Sequence, residues 1–283
     1  MPTPRPNSLV VLLTDFGSID TYVGVMKGVI SGLAPDATVV DLNHAVPPGD
    51  IRQAAFKLWQ SVHYFPADSI FVIVVDPGVG TERRPVVVHW QDRDFVAPDN
   101  GVLTYLLAQS SPDAAFELSE PRYQRQPVST TFHGRDIFAP AGGHLAAGVP
   151  IGSFGPAVDN LEQFELPTLK RKSQSSLSGQ IVHVDRFGNL ITSIGRLHRH
   201  QTGLGFSPWL PFAEPDNLAA KAVAHLPDGT ELPLSSTFGD VPHGEPVAYL
   251  GSEAMLEIAI NGGSAAEHFS LTVDDPITLT FRG

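Results

Sequence analysis

The sequence predicts an α/β protein in two parts: an N-terminal α/β domain with a mainly parallel sheet, and a smaller C-terminal antiparallel β-barrel domain. Strand and helix signals alternate in the first half, whereas closely spaced strands with turn signals between them fill the second. The predicted domains span residues 8–168 and 177–283. The polar, Ser-rich stretch "PTLKRKSQSSLSG" between them is interpreted as a linker.

The N-terminal elements follow from the spacing of apolar residues. Helical spacing begins at Tyr22 and again at Ile51, and the run from Ile70 to Val75 is apolar at every position, as in a strand covered on both faces. The predicted order is a strand at 9–13, a helix at 22–33, a strand at 38–42, a helix at 51–62, a strand at 70–75, and shorter strands at 86–90 and 95–97.

The C-terminal half shows no long helical pattern. Asp228-Gly229 in "AVAHLPDGTELPL" predicts a β-hairpin turn. Further strands are predicted at 247–250, 255–260 and 277–281, which together favour an antiparallel barrel.

Composition excludes several classes of function. The formal net charge of −12 argues against a nucleic-acid partner, and the absence of cysteine excludes disulfides and thiolate metal sites. No apolar run approaches the roughly 18 residues of a membrane span, and "MPTPRPNS" lacks the apolar region of a signal peptide. We therefore expect a soluble cytoplasmic protein without a membrane partner.

Two aspartates follow predicted strands directly, Asp15 in "LLTDFGS" and Asp76 in "VVDPGVG". Ligands of open parallel sheets bind beyond the carboxyl ends of the strands, although an aspartate there is often only a turn or cap residue. "PGVGT" is a poor match to a phosphate-binding loop, because no G-K-[ST] follows it. Instead, its glycines would let the chain double back and bring Arg83 to Asp76.

Two later stretches hold further polar residues. In "TFHGRDIFAP", His133 is a candidate for chemistry, and Asp136 is interpreted as a favourable partner of the dipole of the helix that follows. No H-E-x-x-H pair supports a metal site and no G-x-S-x-G supports a serine hydrolase. In "HVDRFGNLITSI", Asp185 and Asn189 suit either a hairpin turn or contacts to ribose and adenine.

Six segments in order, "TDFGSIDTYVGVMKG", "DPGVGTERR", "APDNGVLT", "TFHGRDIFAPAGGHLAAG", "DRFGNLITSI" and "GSEAMLEIAING", resemble the S-adenosyl-L-methionine (SAM) hydrolase family, the SAM hydroxide adenosyltransferases. This family is related to the SAM-dependent fluorinases and chlorinases. The resemblance implies the two-domain fold described above. It also implies a homotrimer whose substrate sites lie where one subunit's N-terminal domain meets a neighbour's C-terminal domain.

The resemblance implies that Asp76, Arg83 and His133 are catalytic and hold a water or hydroxide beside the 5′ carbon of the substrate. Water needs such help because it is a very weak acid and a poor nucleophile. Arginine favours hydroxide, whereas aspartate and histidine can orient it and accept its proton. Which of Asp76 and His133 accepts the proton stays open at this point.

The substrate-binding residues that the resemblance implies are Asp15, Phe16, Asp185, Asn189, Phe238, Tyr249, Ser252, Glu253, Glu257 and Gly262. Asp15 would hold the ribose diol, and Asp185 with Asn189 would reach the methionine amine and adenine. Phe238 would flank adenine, and Ser252 would meet the methionine carboxylate.

Two of these positions leave alternatives. The fluorinase pattern has arginine where this chain has Glu253, so Glu253 would contribute only its backbone. Glu257 would either meet the methionine ammonium or face outward from its strand.

The expected reaction is the hydrolysis of SAM to adenosine and L-methionine, with no cofactor and no metal. A SAM-dependent 5′-halogenase is the first alternative, but the halogenases carry an uncharged residue where this chain has Asp76. A carboxylate there would repel a halide. A SAM- or adenosine-binding protein without turnover is the second alternative.

Overall fold

The computed structural model describes residues 8–201, 203–211, 216–219 and 221–282. The chain divides into two compact units at the junction between Phe164 and Glu165. None of the helices in the part of the chain that the structure describes has an apolar stretch of the length needed to span a bilayer.

The first unit is built on one six-stranded sheet with the order β2-β1-β3-β5-β4-β6. Its strands are β1 (Leu9–Thr14), β2 (Thr38–Asn43), β3 (Ile70–Val74), β4 (Pro85–Trp90), β5 (Arg93–Pro98) and β6 (Ala114–Glu117), and its helices are α1 (Tyr22–Leu33), α2 (Ile51–Ser61), α3 (Thr104–Leu107) and α4 (Ala139–Ala146). The pairings make β4 the one strand of the six that runs against the others. The predicted mainly parallel sheet and its flanking helices are confirmed.

The core of this unit lies where α1 and α4 cover the sheet. Strand β3 is buried at every position, as its apolar sequence predicts. Helix α4 approaches it closely because it is built from small residues: a Cβ added at Gly142 would lie 2.6 Å from Cγ2 of Val72. Close packing of this helix supports the strand ends that carry the candidate site.

The second unit is almost entirely β-structure. Its strands are β7 (Leu169–Ser173), β8 (Ser176–Val184), β9 (Leu190–Thr192), β10 (Leu197–His200), β11 (Gly203–Phe206), β12 (Asp216–Leu218), β13 (Lys221–His225), β14 (Glu231–Pro233), β15 (Pro246–Leu250), β16 (Leu256–Ile260) and β17 (Pro276–Arg282). The described residues of this unit also form a short α-helix, α5 (Ala265–Phe269), and a 3-10 turn (Phe238–Asp240). The main sheet has the order β14-β13-β17-β8-β9-β16-β15, and a bridge between Leu234 and Ala248 nearly closes it into a barrel. The predicted antiparallel barrel and the hairpin around Asp228-Gly229 are confirmed.

The interpretation of "PTLKRKSQSSLSG" as a linker is wrong. Residues 169–173 and 176–184 form the antiparallel hairpin β7–β8. Leu169 and Leu177 point into the core, whereas Lys170 and Lys172 are exposed. The polar residues are the solvent face and turn of an edge hairpin, whose composition resembles that of a linker.

Candidate active site

The first unit contains a cleft of about 340 Å³ at the carboxyl ends of β1 and β3. Its lining residues are Asp15, Phe16, Tyr22, Val74, Asp76, Val79, Thr131, Phe132, His133 and Gly134. The structure thus brings together the two strand-end aspartates and the histidine of the "TFHG" segment.

Arg83 returns to Asp76 and clamps its carboxylate. Nε of Arg83 donates to Oδ1 at 2.9 Å and to Oδ2 at 3.0 Å, and Nη2 donates a further, shorter bond to Oδ2. The side chains are 10% and 4% exposed, respectively. The predicted ion pair is therefore present, with the fork geometry that only arginine supplies.

The turn between these residues depends on its glycines. Val79 donates its amide to the Asp76 carbonyl, and Thr81 donates to the Gly78 carbonyl from both its amide and its hydroxyl. Gly80 has φ +77°, and a Cβ there would lie 2.4 Å from the carbonyl oxygen of Thr130. The turn therefore packs directly against the segment that leads to His133.

His133 completes the set by contact with Arg83. Its Nδ1 lies 2.7 Å from Nη2 of Arg83. Burial and the charge of Arg83 lower the pKa of His133, against the opposite influence of Asp76 and Asp136. Because a guanidinium only donates, Nδ1 must accept, so the ring is neutral with its proton on Nε2.

Asp136 lies in the first turn of the helical segment that begins at Gly134, where the predicted interaction with the helix dipole would act, and it also makes direct hydrogen bonds. Residues 134–138 form a π-helical turn before α4, and the Asp136 carboxylate is fully buried. Arg135 donates to both its oxygens, at 2.6 and 2.7 Å, and the Ser129 amide donates at 2.9 Å. These bonds hold the pKa of Asp136 below its usual value although burial acts to raise it. The carboxylate thus anchors the chain on both sides of His133.

Asp15 and three aromatic rings form the other part of the cleft. The Gly49 amide donates to Oδ2 of Asp15 at 2.8 Å. The rings of Phe16, Tyr22 and Phe132 pack against one another with centroids 5.1 to 6.0 Å apart. Tyr22 and Phe132 were missed as site residues, since only their place beside "TDFGS" and "FHG" in the sequence hinted at them.

In the second unit, Asp185 and Asn189 shape the turn between β8 and β9. Oδ1 of Asp185 accepts the amides of Phe187 and Asn189 at 2.8 and 2.9 Å, and Nδ2 of Asn189 donates to Oδ2 at 2.8 Å. The hairpin-turn interpretation of this pair is confirmed. The ligand contacts proposed for the same two side chains stay a prediction.

Tyr249 and Glu257 are cross-strand partners on β15 and β16. The Tyr249 hydroxyl donates to Oε2 of Glu257 at 2.7 Å. Burial raises the pKa of Glu257, and the Tyr249 bond opposes that rise, whereas the charges of Asp185 and Glu253 add to it. Glu257 is thus a partly buried, hydrogen-bonded carboxyl on the face of β16 opposite to the fully buried Leu256 and Ile258, and both alternatives for its role stay predictions.

The other predicted residues of the second unit lie close in sequence to Tyr249 and Glu257. The exposed ring of Phe238 lies 6.4 Å from that of Tyr249, and Ser252 is exposed in the turn between β15 and β16. Gly262 follows β16 with φ +81°, and a Cβ there would lie 2.3 Å from Nε2 of His243. Gly262 therefore has a steric reason to be glycine apart from any ligand.

No group of three or more His, Asp or Glu side chains suited to a metal ion occurs within the described part of the chain.

Comparison with known proteins identifies the family. The SAM hydroxide adenosyltransferase N-terminal domain matches residues 10–155, and the C-terminal domain of the same name matches residues 179–278. The chain is 40% identical over 279 residues to an (R)-S-adenosyl-L-methionine hydrolase of Thermus thermophilus, which covers 95% of this chain and 98% of that one. It is 28% identical to a fluorinase of Actinoplanes sp., over 97% of this chain and 98% of that one. An uncharacterized conserved protein from Thermotoga maritima has a similar structure, with a TM-score of 0.82 and 32% identity over 96% of this chain and 99% of that one. The chain belongs to the SAM hydroxide adenosyltransferase family.

Proposed function

We propose that this protein hydrolyses SAM to adenosine and L-methionine by attack of water on the 5′ carbon of the ribose. The observation that carries the proposal is the hydrogen-bonded set of Asp76, Arg83 and His133, whose carboxylate and imidazole line the cleft that also contains Asp15. The names of the similar hydrolases specify the R configuration at sulfur, and the same epimer is the substrate proposed here.

Asp76 takes the proton of the attacking water in this mechanism. The basic nitrogen of neutral His133, Nδ1, already accepts from Arg83. The carboxylate of Asp76 has four lone-pair directions and so retains acceptor capacity beside its bonds to Arg83. Arg83 stabilises the developing hydroxide, and His133 holds the guanidinium in place. The sulfonium is a good leaving group, so most of the catalysis comes from positioning for in-line attack.

The charge of Asp76 supports hydrolysis over halogenation. A halide brought into the cleft would meet the buried carboxylate of Asp76, whose pairing with Arg83 leaves no net positive charge to attract an anion. A neutral water needs no such attraction.

The binding roles are proposed by residue. Asp15 holds the ribose diol, and Phe16 borders the same part of the cleft. Residues Asp185, Asn189, Phe238, Tyr249, Ser252, Glu253, Glu257 and Gly262 contribute the adenine and methionine contacts. We propose in addition a cytoplasmic homotrimer in which each active site combines residues of two subunits, and a reaction that needs no cofactor.

The test is a long incubation of the purified protein with SAM in ¹⁸O-labelled water that contains chloride, followed by mass spectrometry. The expected products are methionine and adenosine with the label at the 5′ oxygen, because water itself attacks that carbon. 5′-Chloroadenosine would instead establish the halogenase alternative. Unchanged SAM in the presence of tight binding would establish a binding protein and overturn the proposal.

A further inference from the structure

A hydrogen-bonded chain of four side chains lies behind the cleft, at the strand ends that lead to Asp15. Thr14, fully buried at the end of β1, shares a hydrogen bond of 2.8 Å with Nδ1 of His44. Nε2 of His44 lies 2.9 Å from Oδ1 of Asp41, and Lys27 donates to Oδ2 of Asp41 at 2.6 Å. The chain runs from a surface ion pair to the residue that precedes Asp15.

The chemistry of these groups sets the direction of each bond. A carboxylate only accepts, so His44 donates from Nε2 to Asp41. In the neutral ring, Nδ1 then accepts the hydroxyl proton of Thr14, and Oγ1 of Thr14 accepts the amide of Phe16 at 3.3 Å. Burial acts to raise the pKa of Asp41, but its bonds to His44 and Lys27 outweigh burial and keep it ionised. His44 and Lys27 thus both donate to Asp41, and Thr14 donates to His44 when the ring is neutral.

Two further bonds hold the same segment from the other side. The Gly17 amide donates to the His44 carbonyl at 2.7 Å, and the Gly49 amide donates to Asp15 Oδ2 at 2.8 Å. Residues 15–17 are therefore held by residues 44–49. The proposed catalytic residues take no part in these bonds.

We infer that His44 is a positioning residue for the ribose side of the cleft. Between Asp41 and Thr14, it holds the Thr14 hydroxyl and, through it, the backbone that carries Asp15 and Phe16. His44 is not among the cleft-lining residues, so it acts through its neighbours and not on the substrate. The inference rests on the proposed function, in which Asp15 binds the ribose diol.

The test compares His44→Ala, His44→Asn and the control His63→Ala, which removes an exposed histidine outside the cleft lining. In His44→Ala, the KM for SAM is expected to rise about tenfold, which corresponds to the net free energy of one lost hydrogen bond. The kcat is expected to stay within about threefold of that of the wild type. The amide of Phe16, which the His44 side chain does not touch, is expected to exchange about tenfold faster with solvent. His44→Asn retains an acceptor near the place of Nδ1 and is expected to recover most of both effects, whereas His63→Ala shows neither.

Two results with His44→Ala would overturn the inference. One is a His44→Ala protein with wild-type KM and wild-type exchange at Phe16, and the other is a loss of kcat with KM unchanged. If the wild-type protein hydrolyses no SAM, the proposed function fails, but exchange at Phe16 still tests the positioning role. If His44→Ala does not fold, Asp41→Asn carries the test, with a smaller expected rise in exchange of about threefold; no rise would overturn the inference.

Discussion

Asp76 and Asp99 are two buried carboxylates that pair with consecutive arginines. Arg83 clamps Asp76 in the cleft. Arg84 donates from Nε and Nη2 to Oδ2 of Asp99, at 3.0 and 2.5 Å, and neither residue of this second pair lines the cleft. The two carboxylates are 4% and 3% exposed. Comparing them separates the cost of breaking a buried ion pair from the loss of a catalytic group.

Asp76→Asn is expected to lower the rate of SAM hydrolysis by about 10²- to 10⁴-fold, because it removes the proposed proton acceptor. Adenosine affinity, measured by calorimetry, should stay close to that of the wild type. Asp99→Asn is the control: both variants should lose about 1–3 kcal/mol of unfolding free energy, since each leaves an arginine without its counter-ion. Equal activity in the two variants would contradict the role of Asp76.

The raised pKa of Glu257 predicts that the free energy of unfolding depends on pH. The raised pKa of Glu257 means that the folded protein keeps this proton to higher pH than the unfolded chain, whose value is 4.5. Stability from this residue is therefore fully present below pH 4.5 and is lost as the pH rises through the raised value. Glu257→Gln keeps an acceptor for Tyr249 and is expected to melt at a higher temperature than the wild type at pH 8, but not at pH 4.

Thermal melts of Glu257→Gln across this pH range check the prediction. Glu245→Gln, at an exposed position of the same unit, is the matched control for the loss of one carboxylate. A Glu257→Gln curve that runs parallel to that of the wild type at every pH would contradict it.

Much of the proposed catalytic set could be brought together from the sequence because its members are close in sequence or lie in recognisable segments. Asp76 and Arg83 are seven residues apart across a glycine turn, and the resemblance added His133. His44 could not be found in this way, because its contact with Thr14 depends on how the ends of β1 and β2 lie side by side. The packing of Tyr22 with Phe132 likewise depends on the tertiary fold.

At the scale of elements, the turn at Gly80 joins two segments of the proposed site. Gly80→Ala would place a methyl group 2.4 Å from the Thr130 carbonyl in a left-handed conformation. We expect it to cost about 1–3 kcal/mol of unfolding free energy and to lower hydrolysis strongly, since the turn and the His133 segment must separate. Chemical denaturation and SAM turnover measure the two effects.

Gly229→Ala is the control for the left-handed conformation alone. Gly229 has φ +90°, with nothing within 4 Å of an added Cβ. Gly229→Ala should lower the free energy of unfolding by only about 1 kcal/mol and leave SAM turnover unchanged. If Gly80→Ala behaved in the same way, the close contact with Thr130 would not matter for stability or for SAM turnover.

Helices and strands could be predicted where apolar residues recur with a regular period, and less well where they do not. Strand β3 and helix α1 have continuous or helical apolar patterns, and both are confirmed. Hairpin β7–β8 was mistaken for a linker because its outer face carries lysines and serines. The bond between Tyr249 and Glu257 required the register of β15 and β16, which single strands do not reveal.

At the scale of the whole molecule, the proposed trimer can be tested by mixing inactive chains. Asp76→Ala removes a proposed catalytic residue of the first unit, and Asn189→Ala removes a proposed binding residue of the second. If each site combines two subunits, mixed trimers contain some sites without either change, and part of the hydrolysis should return. No recovery after verified subunit exchange would contradict the shared site.

The ion pair of Asp76 and Arg83 has a consequence for the kind of nucleophile that this cleft would accept. Carboxylate and guanidinium cancel, and His133 is neutral, so the three side chains together carry no net charge. Replacing Asp76 by an uncharged residue would leave a cation, only 10% exposed, without its counter-ion beside the cleft. A single substitution would thus separate the pocket proposed here for water from one that attracts small anions, and the arginine that we propose for hydrolysis would already be in place to hold them.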